Sequence, residues 1–348
     1  MRIRLLLAML FCTAIASAQP EGVNAHGGNI IKVNDTWYWY GENRPYRGFT
    51  TEVGVEVYTS KDLKSWEDAG VALAVSEEKG SPIERGCIME RPKVVYCQKT
   101  GKYVMLFHLE LKGKGYEAAQ VGFAVSDTPT GPFKFLRALR PNPGKWPANY
   151  SKKDKKKAIA LKQSDYKDWW TEPWREAIKD GLFLVRDMEG GQMSRDMTVY
   201  IDTDGKAYQI TSSEDNLTLH MNELTDDFLG FTGRFIRIAP GGQNEAPTIF
   251  KKDDTYWLIT SGCTGWDPNA ARMFSAKSLW GPWEQHPNPC KGPGADKTFG
   301  GQGTYILQTG EGFIFMADQW NTRHLRDSKH LWLPITFTAD GKPQIVKE

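Results

Sequence analysis

The chain of 348 residues carries 44 basic and 42 acidic residues, which gives a net charge of +2. So small a charge provides no strong electrostatic attraction to nucleic acid or to an anionic membrane surface. The length is sufficient for one large all-β domain or for two smaller domains.

The first 18 residues have the pattern of an export signal. A basic start precedes an apolar run, and residues 16–18 provide the small side chains typical of a cleavage site. We expect cleavage after Ala18 and a secreted or periplasmic mature protein of zero net charge, because the signal holds two arginines and no acidic residue. A lipid anchor through Cys12 is the less favoured alternative, since the bulky Leu10 and Phe11 precede it. No later segment of the sequence approaches the ~20 consecutive apolar residues that cross a bilayer.

The mature chain repeats one hairpin unit five times. Each copy has an apolar strand, a turn rich in Gly, Asn or Asp, and an aromatic-rich return strand. Asn-Asp, Thr-Gly, Asp-Gly and Asp-Asp turns between alternating strands are typical of β-hairpins, and repetition of one unit indicates a repeat architecture. The copies span residues 28–41, 91–108, 196–212, 246–261 and 303–318.

A second pair of short strands follows each hairpin. It is clearest after the first two hairpins, where Val55–Tyr58 and Val121–Val125 precede the segments 60–66 and 129–133. Four strands in each of five units predict an all-β fold, a five-bladed β-propeller, in which radial closure protects the strand edges. We expect one such domain over residues 19–348, as a monomer.

The segment from about residue 140 to 190 does not repeat, and it predicts a partly helical insertion between the second and third units. Its basic run, Lys152–Lys157, lies among polar residues and indicates a solvated face rather than a phosphate-binding track. Trp169, Trp170 and Trp174 either stack on a ligand or anchor the insertion to the body. We favour anchoring, because large aromatic side chains are usually packing residues.

Four cysteines remain after cleavage, and an exported protein meets an oxidising compartment. Cys263 and Cys290 belong to one repeat unit and are the favoured disulfide pair, whereas Cys87 and Cys97 are equally compatible with packed thiols. The sequence has no Cys-x-x-Cys motif or Cys/His cluster that would indicate zinc, and no Asp-rich calcium loop. We therefore expect no metal and no cofactor.

Polar residues recur where the inner strand of each unit begins. In a propeller these strand starts surround one mouth of the central axis, so side chains that are far apart in sequence converge there. Three carboxylates beside neutral hydrogen-bonding groups suit hydrolysis of a glycosidic bond, which needs a protonated acid for the leaving oxygen and an opposing group for water. Crowding also raises the pKa of one carboxylate, which keeps a proton available near neutral pH. The five positions are His26, Glu90, Asp196, Glu245 and Gln302.

These carboxylates could instead satisfy backbone donors near the axis. For a single acidic residue we would prefer that interpretation, but recurrence at three equivalent positions favours catalysis. A propeller that binds sugars without activity is a further alternative, in which the carboxylates only accept hydrogen bonds from hydroxyl groups. A protein-interaction propeller is less favoured, since such a surface needs no carboxylates around the axis.

Several ordered motifs resemble those of glycoside hydrolase family 43, and most of all those of its exo-β-1,3-galactanase branch. The resemblance covers nearly the whole mature chain except the insertion. It implies an inverting, exo-acting hydrolase that releases galactose from β-1,3-galactan, the backbone of arabinogalactan-type plant polysaccharides. The motifs are AHGG at 25–28, MERPK at 89–93, SRDM at 194–197, SSEDN at 212–216, EAP at 245–247, SGCTGW at 261–266 and TFGGQ at 298–302.

The resemblance also implies roles for single residues. Glu245 takes the position of the general acid, and Asp196 that of the carboxylate that tunes and orients this acid. Most family members have an aspartate general base in the first unit, where this chain has Ala25. In the galactanase branch that lacks the aspartate, the glutamine that matches Gln302 is implicated in holding the attacking water, as an orienter or through its imidic tautomer. Glu90 is the rival base; we favour Gln302 for the water and Glu90 as a binder of substrate hydroxyls.

Seven residues are candidates for substrate binding, because they belong to these positions, flank them or lie near the tops of the blades. The wider family also hydrolyses arabinofuranosides, xylosides and galactofuranosides, and small changes in pocket shape separate such sugars. An α-L-arabinofuranosidase, a β-xylosidase or a galactofuranosidase is therefore an alternative to a galactanase. The seven candidates are His26, Arg91, Arg195, Glu214, Trp266, Asp267 and Trp320.

Overall fold

The computed structural model describes residues 20–347, so the expected export signal at residues 1–18 lies outside the described part of the chain. Within that part, the strands β1 to β21 form five sheets. In each sheet four strands that follow one another in sequence pair antiparallel.

Each sheet is one blade. The first blade contains β1 (His26–Val33), β2 (Thr36–Glu42), β3 (Gly54–Ser60) and β4 (Glu67–Ala74). The second contains β5 (Ile88–Cys97), β6 (Lys102–Glu110), β7 (Gln120–Ser126) and β8 (Lys134–Leu139). The third contains β9 (Met197–Ile201), β10 (Ala207–Ser213), β11 (Thr218–Leu224) and β12 (Phe231–Ile238). The fourth contains β13 (Asn244–Lys252), β14 (Thr255–Gly262), β15 (Arg272–Ala276) and β16 (Glu284–His286). The fifth contains β18 (Gln302–Thr309), β19 (Gly312–Gln319), β20 (Lys329–Phe337) and β21 (Pro343–Val346), with β17 (Cys290–Lys291) parallel to β21.

The five sheets are arranged as a ring. The inner strands β1, β5, β9, β13 and β18 contact one another in that order, and β18 in turn contacts β1. The five-bladed propeller predicted from the hairpin repeats is therefore confirmed. The short β17 is an addition at the outer edge of the last blade.

Five apolar clusters hold neighbouring blades together. Side chains alternate along each strand, so every blade can face one neighbour with one set and the other neighbour with the second. Ring closure rests on the cluster between the first and last blades, which includes Ile30 and Trp39 together with Ile314 and Trp332. Burial of each such side chain contributes about 1.5–3 kcal/mol.

Asp318 adds a polar link across the same junction. Its carboxylate accepts a hydrogen bond from the backbone N–H of Gly27 (2.7 Å) and contacts the imidazole rings of His26 (3.3 Å) and His330 (2.9 Å). The other ring nitrogen of His330 contacts the carbonyl oxygen of Val23 (2.9 Å). The last blade is thereby joined to the segment that leads into β1.

The insertion between the second and third blades is partly helical, as predicted. Ser151 and Asp154 form a reciprocal capping box at the start of its first helix, and Gly181, at φ 107°, ends the second. Within residues 20–347, the helices lack the length and apolarity that a membrane crossing requires. The helices are α1 (Lys152–Ala160), α2 (Glu172–Asp180) and α3 (Leu182–Arg186), and single 3₁₀ segments occur at Gln163–Asp165, Ala295–Gly300 and Leu325–Asp327.

Trp174 anchors the insertion to the propeller. It is buried in a cluster that includes Phe183 of α3 and Leu217 of the third blade. Trp169 and Trp170 are half exposed, and their rings contact that of Trp174. The interpretation of these tryptophans as anchoring residues therefore agrees with their packing.

The disulfide predicted between Cys263 and Cys290 is wrong, since the cysteines of residues 20–347 are free thiols. Two cysteines of one sequence unit need not be neighbours in a blade. Cys263 follows β14 near the axis, whereas Cys290 begins β17 at the outer edge of the last blade. Cys87 and Cys97 are buried, as expected for packed thiols.

Ring closure should depend on Ile314, which is completely buried between the first and last blades. We expect Ile314→Ala to lower the free energy of unfolding by about 2–5 kcal/mol, because the substitution leaves a cavity at this junction. The matched control is Ile159→Ala on α1, where the side chain is 64% exposed and the change should stay within about 0.5 kcal/mol. Urea unfolding measures both, and equal effects would contradict the proposed closure.

Candidate active site

One cavity of about 310 Å³ lies where the inner strands of the blades begin. This volume is at the lower end of the range for small-molecule sites in proteins. The four predicted catalytic residues line it together: Glu90, Asp196, Glu245 and Gln302. Four of the predicted binding residues line it as well: Arg91, Arg195, Trp266 and Trp320.

Bulges near the starts of the inner strands set the directions of these side chains. The pairing register shifts directly after the site residue in β1, β5 and β13, and one residue later in β18. In three of them the next residue has a left-handed backbone, namely Gly27 (φ 64°), Arg91 (φ 54°) and Ala246 (φ 50°). Pro92 and Pro247 follow two of these residues, and proline is tolerated at a bulge because it has no N–H to donate. The Glu-Arg-Pro and Glu-Ala-Pro sequences thus form bulges that re-aim their glutamates.

The side chain of Glu245 is hydrogen-bonded to the neighbouring blade, and its pKa is raised. Asn216 Nδ2 donates a hydrogen bond to Glu245 Oε1 (2.7 Å). Burial and the negative charge of Asp196 raise the pKa of Glu245 to about 7, although the charge of Arg91 opposes this shift. Glu245 therefore titrates close to neutral pH, where it can hold the proton that general acid catalysis requires.

Asp196 connects the second, third and fourth blades. Its Oδ2 atom forms an ion pair with Arg91 Nη2 (3.0 Å) and accepts a hydrogen bond from the backbone N–H of Ala246 (3.1 Å). The second contact fixes the carboxylate beside the residue that follows Glu245. The negative charge that raises the pKa of Glu245 is thereby held in one place.

The side-chain amide of Gln302 has a defined orientation. Its Oε1 atom accepts hydrogen bonds from Arg91 Nη2 (2.5 Å) and Trp320 Nε1 (3.0 Å). Its Nε2 atom donates to Ser261 Oγ (3.1 Å). A flipped amide would place its NH₂ group against two other donors, so these partners fix which atom is the oxygen.

Glu90 is an ion-paired carboxylate. It accepts hydrogen bonds from Arg44 Nη2 (3.0 Å) and the Tyr116 hydroxyl (3.1 Å), and it lies 3.3 Å from His108 Nδ1. Burial alone would raise the pKa of Glu90, but Arg44 and His108 outweigh it and hold this pKa well below its ordinary value. The pKa of His108 is raised to about 9, because hydrogen bonds to Glu110 and Glu90 overcome the effect of burial. Glu90 is therefore ionised at neutral pH.

Three predicted binding residues do not line this cavity. His26 is completely buried and contacts Asp318 at the junction of the first and last blades. Asp267 lines an adjoining cavity of about 80 Å³, which shares the walls of Trp266 and Trp320. Glu214, the third, is buried in the turn after β10.

The carboxylate of Glu214 is occupied by protein partners. It accepts hydrogen bonds from Arg237 Nη2 (2.6 Å) and Nε (2.7 Å), and it contacts His220 Nε2 (2.8 Å). Burial would raise the pKa of Glu214, but these partners lower it to about 2. This geometry assigns Glu214 to a buried ion pair, which a polar motif in the sequence does not distinguish from a binding residue.

Sequence reasoning missed three side chains that line the cavity, namely Arg44, His108 and Tyr116, and it included Asn216 only as part of the SSEDN motif. One signal was available for His108, because it interrupts an apolar strand and pairs in register with Glu90. A polar residue opposite a site residue at the end of the second strand reaches the same mouth of the axis. Arg44, Tyr116 and Asn216 come from loops and turns, which carry no repeat pattern.

In the described part of the chain, two groups of side chains contain enough ligand atoms for a metal ion: His26, Asp318 and His330, and Glu90, His108 and Asp196. In the first group, Asp318 already contacts both imidazole rings. In the second group, arginine side chains pair with both carboxylates. Neither group offers a set of free ligand atoms, so neither fits a resident metal well.

Hydrolysis of a glycosidic bond needs a proton donor and further carboxylates in a cavity that fits a sugar, and the propeller axis provides these groups. The protein is a glycoside hydrolase. Its residues 137–343 match the sequence model of the glycosyl hydrolases family 43. The chain belongs to glycoside hydrolase family 43, which confirms the family indicated by its motifs.

Solved structures of this family resemble the chain closely. A family 43 β-1,3-galactosidase in complex with galactodeoxynojirimycin is 57% identical, with a TM-score of 0.92 over 94% of each chain. An exo-β-1,3-galactanase from Clostridium thermocellum is 32% identical, with a TM-score of 0.73 over 94% of this chain and 64% of that chain. An exo-β-1,3-galactanase from Phanerochaete chrysosporium with β-1,3-galactotriose is 28% identical, with a TM-score of 0.73 over 95% of this chain and 66% of that chain.

A curated relative carries a different activity in its name. A xylan 1,3-beta-xylosidase from a Vibrio species is 26% identical over 165 residues, which are 44% of this chain. The match spans only 28% of the length of that relative.

The buried pair of Glu214 and Arg237 should be essential for stability. We expect Arg237→Met to lower the free energy of unfolding by about 3–5 kcal/mol, because Glu214 is then buried without its counterion. Adding Glu214→Leu should recover much of this loss, since no unpaired charge remains. In the wild type, ionised Glu214 should make its full contribution to the free energy of unfolding at pH values above 4.5, the ordinary glutamate pKa. This contribution should be lost as the pH falls towards 2, where Glu214 becomes protonated in the folded protein. Urea unfolding at pH 7 and pH 3 tests both points, and an unchanged stability of Arg237→Met would contradict them.

Proposed function

We propose that this protein is an exported, exo-acting β-1,3-galactosidase, which releases galactose from the non-reducing end of β-1,3-galactan with inversion at the anomeric carbon. The choice of sugar is carried by the 57% identity, over 94% of both chains, to a solved β-1,3-galactosidase. The axial cavity supports exo action, because about 310 Å³ suits one sugar ring rather than a polysaccharide chain.

Glu245 is the proposed general acid. It donates its proton to the glycosidic oxygen while the bond between that oxygen and the anomeric carbon breaks. Asp196 keeps the proton on Glu245 before this step, since its charge disfavours a second carboxylate nearby. The Asn216 amide then donates to the carboxylate that forms.

Gln302 is the proposed holder of the attacking water. Its carbonyl oxygen faces two donors, which favours the amide over the imidic tautomer, because the imidic form would need a proton on that oxygen. The amide has one further N–H besides the one that faces Ser261, and this N–H can donate to the water oxygen. An amide is a very weak base, so we assign orientation of the water to Gln302. The proton that this water loses as its oxygen bonds to the anomeric carbon then passes to solvent water at the open mouth of the cavity.

Glu90 is proposed to bind the sugar. Its low pKa makes it a weak base, and its ionised oxygens are strong acceptors for hydroxyl groups. Trp266 and Trp320 offer apolar ring faces on the same cavity, against which the C–H face of a pyranose can stack.

Glu245→Gln should lower kcat by about 10²–10⁴-fold, because an amide N–H is far too weak an acid to protonate the glycosidic oxygen. In the wild type, kcat/KM should fall as the pH rises above about 7, where Glu245 loses its proton. Release of galactose from β-1,3-galacto-oligosaccharides measures both effects. Glu176→Gln, on the exposed surface of α2, is the matched control and should retain wild-type activity.

The same assay tests the choice of sugar and the stereochemistry. Proton NMR should show the α anomer of galactose first, while aryl arabinofuranosides and xylosides should be poor substrates. Saccharide binding without any product would instead support a sugar-binding propeller. Wild-type turnover by Glu245→Gln would overturn the assignment of the acid.

Gln302 and Glu90 should differ in the kinetic constant that they control. We expect Gln302→Ala to lower kcat by about 100-fold, because the water loses its position, with a smaller change in KM. Glu90→Gln should mainly raise KM, because a strong acceptor for sugar hydroxyls becomes a weaker one. Steady-state kinetics on β-1,3-galactobiose distinguish the two, and a loss confined to kcat in Glu90→Gln would favour Glu90 as the base.

A further inference from the structure

The turn between β10 and β11 has an unusual backbone. Glu214, Asp215 and Asn216 have φ angles of 53°, 56° and 63°, and none of them is glycine. A single Asp or Asn visits this left-handed region readily, but three consecutive L-residues do so only when their surroundings hold them. The turn therefore needs support from outside the hairpin.

The helical insertion supplies part of this support through Arg237. Besides its ion pair with Glu214, the guanidinium of Arg237 donates hydrogen bonds to the carbonyl oxygens of Ile178 (2.8 Å) and Lys179 (2.8 Å) in α2. The first residue of the turn is thus joined to the insertion through one buried cation.

Two further contacts connect the turn to the insertion. Arg186, the last residue of α3, donates from Nη1 to Asp215 Oδ2 (2.5 Å). Leu217, directly after the turn, is buried in the cluster that contains Trp174 and Phe183. Each residue from Glu214 to Leu217, apart from Asn216, therefore has a partner connected to the insertion.

Asn216 points the other way, towards the cavity. Its Nδ2 atom donates to Glu245 Oε1 (2.7 Å), and its carbonyl oxygen accepts from the thiol of Cys263 (3.6 Å). The charged groups that face Glu245 from other elements are Asp196 and Arg91. Among these neighbours, Asn216 is the one whose position depends on the left-handed turn.

We propose that Asn216 is a positioning residue for Glu245, and that the insertion of residues 140–190 serves to hold the turn 214–216 that presents it. This inference rests on the proposed function, because it takes Glu245 as the general acid. The insertion then acts on catalysis without contacting the sugar: it keeps the carboxyl group of the acid in one rotational position.

Asn216→Gly tests the first half of the proposal, because glycine keeps the left-handed backbone and removes only the amide donor. We expect kcat/KM to fall by about 10- to 100-fold. The alkaline limb of its pH profile should move to higher pH, because Asn216 lowers the pKa of Glu245 by hydrogen bonding. Asn216→Asp, in which aspartate also tolerates this backbone, should move the alkaline limb to still higher pH, since the added negative charge raises the pKa of Glu245 further. Melting temperatures and circular dichroism confirm that both variants are folded.

Arg186→Met tests the second half. It removes the ion pairs with Asp215 and with the adjacent Asp187 but keeps an apolar stem over the Phe183 ring. We expect a smaller shift of the alkaline limb in the same direction, and no added effect in combination with Asn216→Gly. Arg234→Met is the matched control, because Arg234 also stacks on an aromatic ring, that of Trp280, but lies exposed on the third blade.

The outcomes separate the two proposals. A wild-type pH profile for Asn216→Gly and Asn216→Asp, with Glu245→Gln inactive, would overturn the positioning role and leave the acid assignment intact. Full activity of Glu245→Gln would overturn the acid assignment itself. A shifted profile for Asn216→Gly with no difference between Arg186→Met and Arg234→Met would overturn the role of the insertion.

Discussion

The arrangement of the cavity depends on the guanidinium of Arg91. From the second blade, it reaches Asp196 (3.0 Å) beside the third blade, and Gln302 (2.5 Å) and the carbonyl oxygen of Gly303 (3.0 Å) in the fifth. A guanidinium is planar and permanently charged, so these contacts fix directions as well as distances. The carboxylate of Asp196 and the amide of Gln302 are thereby held in fixed positions relative to each other, although they are far apart in sequence.

Counter-charge explains why two glutamates in the same ring behave differently. Burial acts to raise the pKa of both Glu90 and Glu245. Glu90 has the cations Arg44 and His108 as partners and stays ionised, whereas Glu245 has a neutral amide partner and faces Asp196. The environment therefore keeps Glu90 ionised, which suits its proposed binding of sugar hydroxyls, and raises the pKa of Glu245, which suits its proposed role as the acid.

The propeller could be predicted from the sequence, because its hairpins repeat and turn residues mark their ends. Glu90 and Gln302 could be identified for the same reason, since each belongs to the start of an inner strand. The repeat carries no information about loops, so the approach of Arg44 and Asn216 to the cavity depends on how all five blades close. Glu214 was predicted to bind substrate, but the structure places it in a buried ion pair. This ion pair with Arg237 forms only in the folded third blade, so the sequence motif could not distinguish Glu214 from a binding residue.

Catalysis by Glu245, as proposed, depends on burial and on the charge of Asp196, which raise its pKa towards neutral pH. The most direct measurement is a ¹³C NMR titration of the glutamate side-chain carboxyl carbons, with Glu245→Gln used to assign the resonance. We predict a pKa of about 7 for Glu245 in the wild type and a lower pKa in Asp196→Asn. A pKa close to the ordinary glutamate value of 4.5 in the wild type would contradict this account.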